Sequence, residues 1–404
     1  MSGDARTGVG TDSRRWSTDY LPTAVSWILT HTLRGVRRTG QLPVGTEHVV
    51  RLLLRVCPVG LAARGQTRRG VAAAVARWRP DGGVERPDGE GLWELTDAAT
   101  ADLREATSRL VTPREGTPER LRELWTGELV AAVRRAAALA GAEGVWRPHA
   151  VHLLRAVLAD EASRGVRALA SAGVGTRFAG LDIPDDLPPR EALPDTAVVP
   201  YLDRRGWIRP HAAPPYRTGV VGRLRWRWAA LRDDPRVRPM ATDILLGVYQ
   251  EAIRNAVRLG HRATTSAHVV VGLAALEHHL STTGQQLRSR AASLDAAGRL
   301  LREHGIDYRA AYETAALTCA DLATTGERWP RIDGDVERRT WQLWQRLDAA
   351  GLPYAGTTAV LHAHLAGPEG SAAAVVRALG VSPSALESTA LRHLYGAGPR
   401  RGAR

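Results

Sequence analysis

Apolar residues recur every three or four positions along several stretches of the chain, and each stretch ends at a glycine. Ile244, Val248, Ala252, Ala256 and Leu259 fall on one face, which predicts a helix that Gly260 stops. Thr264, Thr265 or Ser266 is placed to cap a second helix, whose apolar stripe begins at Val269. A third helix is predicted within residues 296–305, closed by Gly305. The same order of helix, short turn, capped helix and small-residue helix returns elsewhere. Residues 39–54 hold one copy around Thr46, Glu47 and His48, residues 146–174 a second centred on His149, and residues 355–382 a fourth centred on Ala359. His48, His149 and His268 then fall at equivalent places near the start of the second helix of each copy.

The expected fold is therefore all-α, with four units arranged as two pairs. Two halves of about 150 residues each lie within the usual size of a domain, whereas one core of 404 residues does not. The pattern divides the chain into a tail (1–18), a first double repeat (19–184), a connection (185–236), a second double repeat (237–397) and a short tail (398–404). Eight prolines run from Pro184, at its border, to Pro215 within the connection, too many for a helix interior, and the connection is expected to let the two halves engage partners independently.

Motif and spacing together resemble the N-terminal repeat of the Clp-type AAA+ unfoldases, the Clp repeat or Clp R domain. The features that carry the resemblance are the small-residue helix before Leu259-Gly260-His261, the triplet Thr46-Glu47-His48 leading an aliphatic run, and the glycine-ended third helices. Residues 95–106 also resemble the helix that opens the family's second repeat. The resemblance implies two tandem Clp N-terminal-like domains, each of two pseudo-symmetric helical repeats. It further implies a non-enzymatic module that receives a peptide, a substrate protein or an adaptor of a Clp ATPase or protease system. No motor accompanies it, because the chain contains no lysine, all 55 basic residues being arginine, and a Walker A loop requires one.

Candidate chemistry narrows the picture further. A threonine at a helix start with a carboxylate in the first turn is explained by capping and by the helix dipole alone. The same geometry offers backbone amides to an anion and Glu47 to a cation. The family resemblance carries a phosphoarginine role to Thr46 and Glu47, with His48 beside them and Ser266 and His268 as their second-half equivalents. In the other copies the glutamate aligns with Pro148, Ala267 and Thr358, so one such pocket at most keeps its carboxylate. His149 and His152 lack a third donor at metal-site spacing, and no nucleophile, base or dinucleotide loop is evident, so no metal, cofactor or catalytic residue is expected.

The formal charge of +13 favours an acidic partner. Arginines crowd the connection together with Trp207, Trp226 and Trp228, which makes a nucleic-acid-binding protein the alternative reading. The start of the chain has no hydrophobic signal stretch and no long apolar run follows, so a cytoplasmic protein without a membrane span is expected. Cys57 and Cys319 form no disulfide framework.

Overall fold

A computed structural model describes residues 25–56, 60–61, 68–78, 98–108, 124–174, 181–182, 208–209, 240–283, 285–287, 295–323, 330–349, 356–367 and 369–396. The two tails, Cys57 and nearly all of the arginine- and tryptophan-bearing connection lie outside them. Among the described residues the protein is all-α, with fifteen helices and three pairs of two-residue strands. No helix among them is long and apolar enough to cross a membrane.

The first half comprises α1 (Val25–Thr39), α2 (Thr46–Val56), α3 (Arg68–Arg77), α4 (Ala101–Ser108, after a 3-10 turn at Ala98–Thr100), α5 (Gly127–Ala142), α6 (Ala150–Leu158) and α7 (Arg164–Ser171). The second comprises α8 (Met240–Leu259), α9 (Ser266–Thr283), α10 (Ala297–Glu303), α11 (Tyr308–Thr318), α12 (Gly334–Ala349), α13 (Thr357–Leu365), α14 (Ser371–Ala378) and α15 (Pro383–Gly396). The predicted stops hold: Gly173, Gly260, Gly305 and Gly380 all have positive φ, the left-handed conformation that ends a helix and that a side chain resists.

Each half has its own apolar core. Leu29, Leu53, Leu103, Leu129, Leu154 and Leu169 meet in the first, and Val248, Val270, Leu300, Val360, Val376 and Leu386 in the second. Each fully buried aliphatic side chain contributes about 1.5–3 kcal/mol relative to exposure.

A backbone stitch recurs in both cores. In the first half the Val44 amide donates to Leu124 O at 2.8 Å and the Thr126 amide to Val44 O at 3.0 Å. In the second, β4 (Ala263–Thr264) pairs in parallel with β6 (Arg331–Ile332); the remaining pairs are β1 (Gly60–Leu61) with β2 (Leu181–Asp182) and β3 (Ile208–Arg209) with β5 (Gln286–Leu287). The stitch fixes the start of α2 beside the start of α5, and the start of α9 beside the start of α12. It thereby sets Thr46 against Glu128 and Ser266 against Asp335.

Two sequence expectations need correction. The helix leading into α6 is α5, so residues 95–106 do not open a second repeat. Their described part forms the 3-10 turn and most of α4, which keeps Leu103 and Ala106 in the first core and turns Asp102, Arg104 and Glu105 toward α8. The halves are also not independent, because they meet through a buried charged seam. Arg254 donates to both oxygens of Glu105 at 2.6 and 3.1 Å, and to Glu251 at 3.0 Å. Arg258 bridges Asp102 at 2.7 Å and Glu105 at 2.6 Å. Burial alone would lower the Arg258 pKa, but these two carboxylates outweigh it and hold the guanidinium charged.

Arg104 inserts against the last turn of α8, donating to Val257 O at 3.2 Å and to Arg258 O, where the negative end of the helix dipole favours a cation. Alongside, Arg147 lies over the rings of Trp146, Tyr308 and Tyr312 and donates to the Tyr308 hydroxyl at 2.7 Å. Trp146 itself packs against the second core. Two carboxylates, Asp102 and Glu105, thus face two guanidiniums, Arg254 and Arg258, across the seam, with Glu251 beside Arg254 on α8, Arg104 on backbone carbonyls, and Arg147 seated among aromatic rings alongside.

Candidate functional site

At the start of α2 a carboxylate, Glu47, is buried with one oxygen that has no hydrogen-bond partner. Gly45 occupies the cap position. Its carbonyl takes the His48 and Val49 amides, and its own amide donates to His48 Nδ1 at 3.1 Å. Histidine here fills the role that glutamate or glutamine has in a capping box. His268 repeats it with the Thr265 amide at 3.0 Å, and His152 repeats it with the His149 amide at 2.9 Å. The equivalence expected for His149 is therefore shifted by three residues: His149 is the cap, and His152 matches His48. By the same register Val151, not Pro148, matches Glu47.

Thr46 does not cap its own helix; it is the first helical residue. Its hydroxyl accepts the Gly165 amide of α7 at 2.8 Å and donates to Glu128 Oε2 at 3.2 Å. That carboxylate also takes the Arg164 amide at 3.2 Å. Thr46 thus joins the start of α2 to the starts of α5 and α7.

Glu47 is buried, and its Oε2 has no hydrogen-bond partner. The carboxylate lies directly over Gly45, so a side chain at position 45 would displace it. Oε1 approaches His48 Nδ1 at 3.2 Å, but that nitrogen already accepts the Gly45 amide. The contact becomes a hydrogen bond only when the imidazole is protonated. Burial pushes the Glu47 carboxyl above its usual value of 4.5. Its own backbone amide and Arg164 pull the other way, Glu128 adds to the rise, and Arg167 opposes it.

The matching place in the second half is sealed. Ala267 stands where Glu47 does, and its amide donates to Ser371 Oγ at 3.0 Å. Ser371 and Ala374 replace Arg164 and Arg167. Ser266, the counterpart of Thr46, contacts Asp335 Oδ2 at 3.4 Å and His364 Nδ1 at 2.9 Å, while His364 Nε2 meets the Tyr249 hydroxyl at 3.1 Å. Serine, histidine and aspartate are adjacent here, yet the carboxylate touches the serine and not the imidazole. This order ties α8, α9, α12 and α13 together and does not orient a base.

His268 Nδ1 accepts the Thr265 amide, so Nε2 carries the proton and donates to His261 Nδ1 at 2.9 Å. Burial lowers His268 to about 3, and His261 and His364 to about 4, so all three are neutral at pH 7. Burial also pushes the Cys319 thiol up, making it a poor nucleophile. Among the described residues no group of three or more His, Cys, Asp or Glu is placed to hold a metal.

Thr46, Glu47 and His48 lie at the start of α2, where Glu128, Arg164 and Gly165 meet them. Thr126 capping α5 through the Leu129 amide, with Glu128 two residues later, was the readable signal for the first of these. Nothing in the sequence announced that α7 would begin against α2. No protein-family model matches the chain, and no curated protein matches it either.

Proposed function

We propose that this protein is a non-enzymatic, cytoplasmic peptide- or protein-binding module of the Clp N-terminal type. It carries two tandem double-repeat domains without a motor and acts as an adaptor or decoy in Clp-dependent proteolysis. The observation that carries the reading is Glu47, a buried carboxylate with an unpartnered oxygen at the start of α2, in a junction whose counterpart is closed by Ala267 and Ser371. A buried polar atom left without a partner costs about 1–3 kcal/mol. A guanidinium arriving from a ligand would remove that cost, and an anionic group on the same ligand would meet Arg164, Arg167 and the start of the helix. Phosphoarginine unites both charges, and a peptide bearing it is the ligand this site suits best.

Calorimetric titration of the intact protein with a phosphoarginine peptide tests this, with the unmodified arginine peptide as the comparison. Saturable binding to the phosphorylated peptide, abolished in Glu47→Gln, is expected. Absence of heat with the wild-type protein overturns the ligand assignment, and failure to recover Clp ATPase or protease subunits from native lysate overturns the adaptor reading. The arginine-rich connection that would support nucleic-acid binding lies almost wholly outside the described residues, and no described feature favours that reading.

A further inference from the structure

The second half carries a different charged feature on the exposed side of α12. Asp335, Arg338, Arg339, Gln342, Arg346 and Ala363 line an open cavity of about 150 Å³ between α12 and the last turn of α13. Their spacing along α12 puts all five polar residues on one face. Arg339 is the fixed member: Nε reaches Asp335 Oδ2 at 2.6 Å, and Nη1 donates to Ala363 O at 3.1 Å and to Ala366 O. It therefore serves the carbonyl end of α13 as well as facing the cavity.

Arg338 also reaches Asp335, so one carboxylate answers two guanidiniums. Burial raises the Asp335 carboxyl, but Arg339 and Arg338 outweigh it and hold it ionised. Arg346, one helical turn beyond Gln342, pairs with no carboxylate among the described residues. Glu387 lies 3.4 Å from His362 Nδ1 and is not among the residues lining the cavity. Three guanidiniums thus converge on a cavity holding a single negative charge.

The repeat does not require this. The backbone stitch aligns α12 with α5, and the positions of Arg338, Arg339 and Arg346 are there occupied by Ala131, Ala132 and Leu139. The first half folds around the same stitch without any of them. Charge of one sign gathered on this face raises the local repulsion, which the Asp335 pairs with Arg338 and Arg339 and the Arg339 contacts with Ala363 O and Ala366 O relieve in part.

We propose that this cavity is an oxyanion site, taking one phosphate or carboxylate group on Arg338, Arg339 and Arg346 with Gln342 as a neutral donor. The volume suits a single such group. The site is separate from Glu47 in place and opposite in sign, so it does not rest on the function proposed above.

Calorimetric titration with inorganic phosphate and, separately, with glutarate at constant ionic strength tests it. The wild-type protein is compared with Arg338→Ala/Arg346→Ala, whose side chains are exposed and whose loss leaves the Arg339 contacts in place. Saturable binding of either anion, weakened at least tenfold in the double variant and unaltered in Glu47→Gln, is the expected result. A response to phosphate alone identifies the group as phosphate, and a response to glutarate alone identifies it as carboxylate. No binding of either anion, or binding equal in the double variant, overturns the proposal. A thermal midpoint of the double variant matching the wild type excludes unfolding as the cause of any loss.

Discussion

Glu105 and Glu47 are both buried carboxylates, and the protein holds them in opposite ways. Glu105 is completely enclosed and receives donors from Arg254 and Arg258 across the seam between the halves. Glu47 keeps an oxygen with no partner, and the position that corresponds to it in the second half is an alanine. A buried carboxylate whose two oxygens both receive guanidinium donors belongs to the scaffold, even though Arg258 Nε in the same seam is left without an acceptor. A buried carboxylate oxygen with no partner is a place that a donor from outside could complete. The two glutamates thus differ in how many donors the fold supplies to each.

The largest effect that tests this contrast is expected at the seam. Glu105→Gln preserves shape but removes the charge that Arg254 and Arg258 share, leaving two guanidiniums buried with Asp102 and Glu251 alone. Breaking a buried pair by removing one member costs about 3–5 kcal/mol. Urea denaturation should show a loss of this size. A change below about 1 kcal/mol would mean that the seam does not hold the halves together.

Counted per residue, acid should act next in size, and through the second half more than the first. The folded values of about 3 for His268 and about 4 for His261 and His364 lie below the ordinary 6.5, so between those limits the unfolded chain binds more protons than the folded one. Stability from these groups is complete above pH 6.5 and falls as the pH drops toward the folded values. At pH 5 the loss from His268 alone is about 2 kcal/mol, from 1.36 kcal/mol per unit over the 1.5 units below 6.5. His268→Gln keeps a side chain able to accept the Thr265 amide, and it should flatten the acid limb of a thermal-midpoint titration. An unchanged acid limb in that variant would place the proton uptake elsewhere.

The sequence made the helices legible where a single face was apolar and a glycine followed, as at Ile244 to Gly260 and in the third helices ending at Gly173, Gly305 and Gly380. It misplaced the second repeat's register because His149 and His152 both sit near a helix start, and only the amide each one uses tells cap from third position. It missed the seam entirely. Asp102, Arg104 and Glu105 fall in the segment that resembles a repeat-opening helix, and their partners Arg254 and Arg258 fall on another helix far along the chain. Charge complementarity between residues about 150 apart has no local signature. The site was half visible: Thr46-Glu47-His48 announced itself as a capped start, whereas the approach of Gly165 and Arg164 depends on how α7 packs.

The smallest effect on stability is expected at Glu47, and there the sign is the informative part. Its raised pKa means that the folded state disfavours the ionised form, so a penalty is present above the folded value and disappears as the carboxyl protonates at lower pH. Glu47→Gln removes the charge while keeping the volume over Gly45. At pH 7 the variant should therefore match the wild type or exceed it by about 1 kcal/mol, and the difference should shrink as the pH is lowered toward 4.5. Denaturation midpoints of the two proteins at a series of pH values measure it directly. The wild-type affinity for a guanidinium-bearing ligand should fall over the same acid range, because the cation needs the ionised carboxylate. Destabilisation by Glu47→Gln at pH 7 comparable to that of Glu105→Gln would place Glu47 with the scaffold and remove the ground for a ligand at α2.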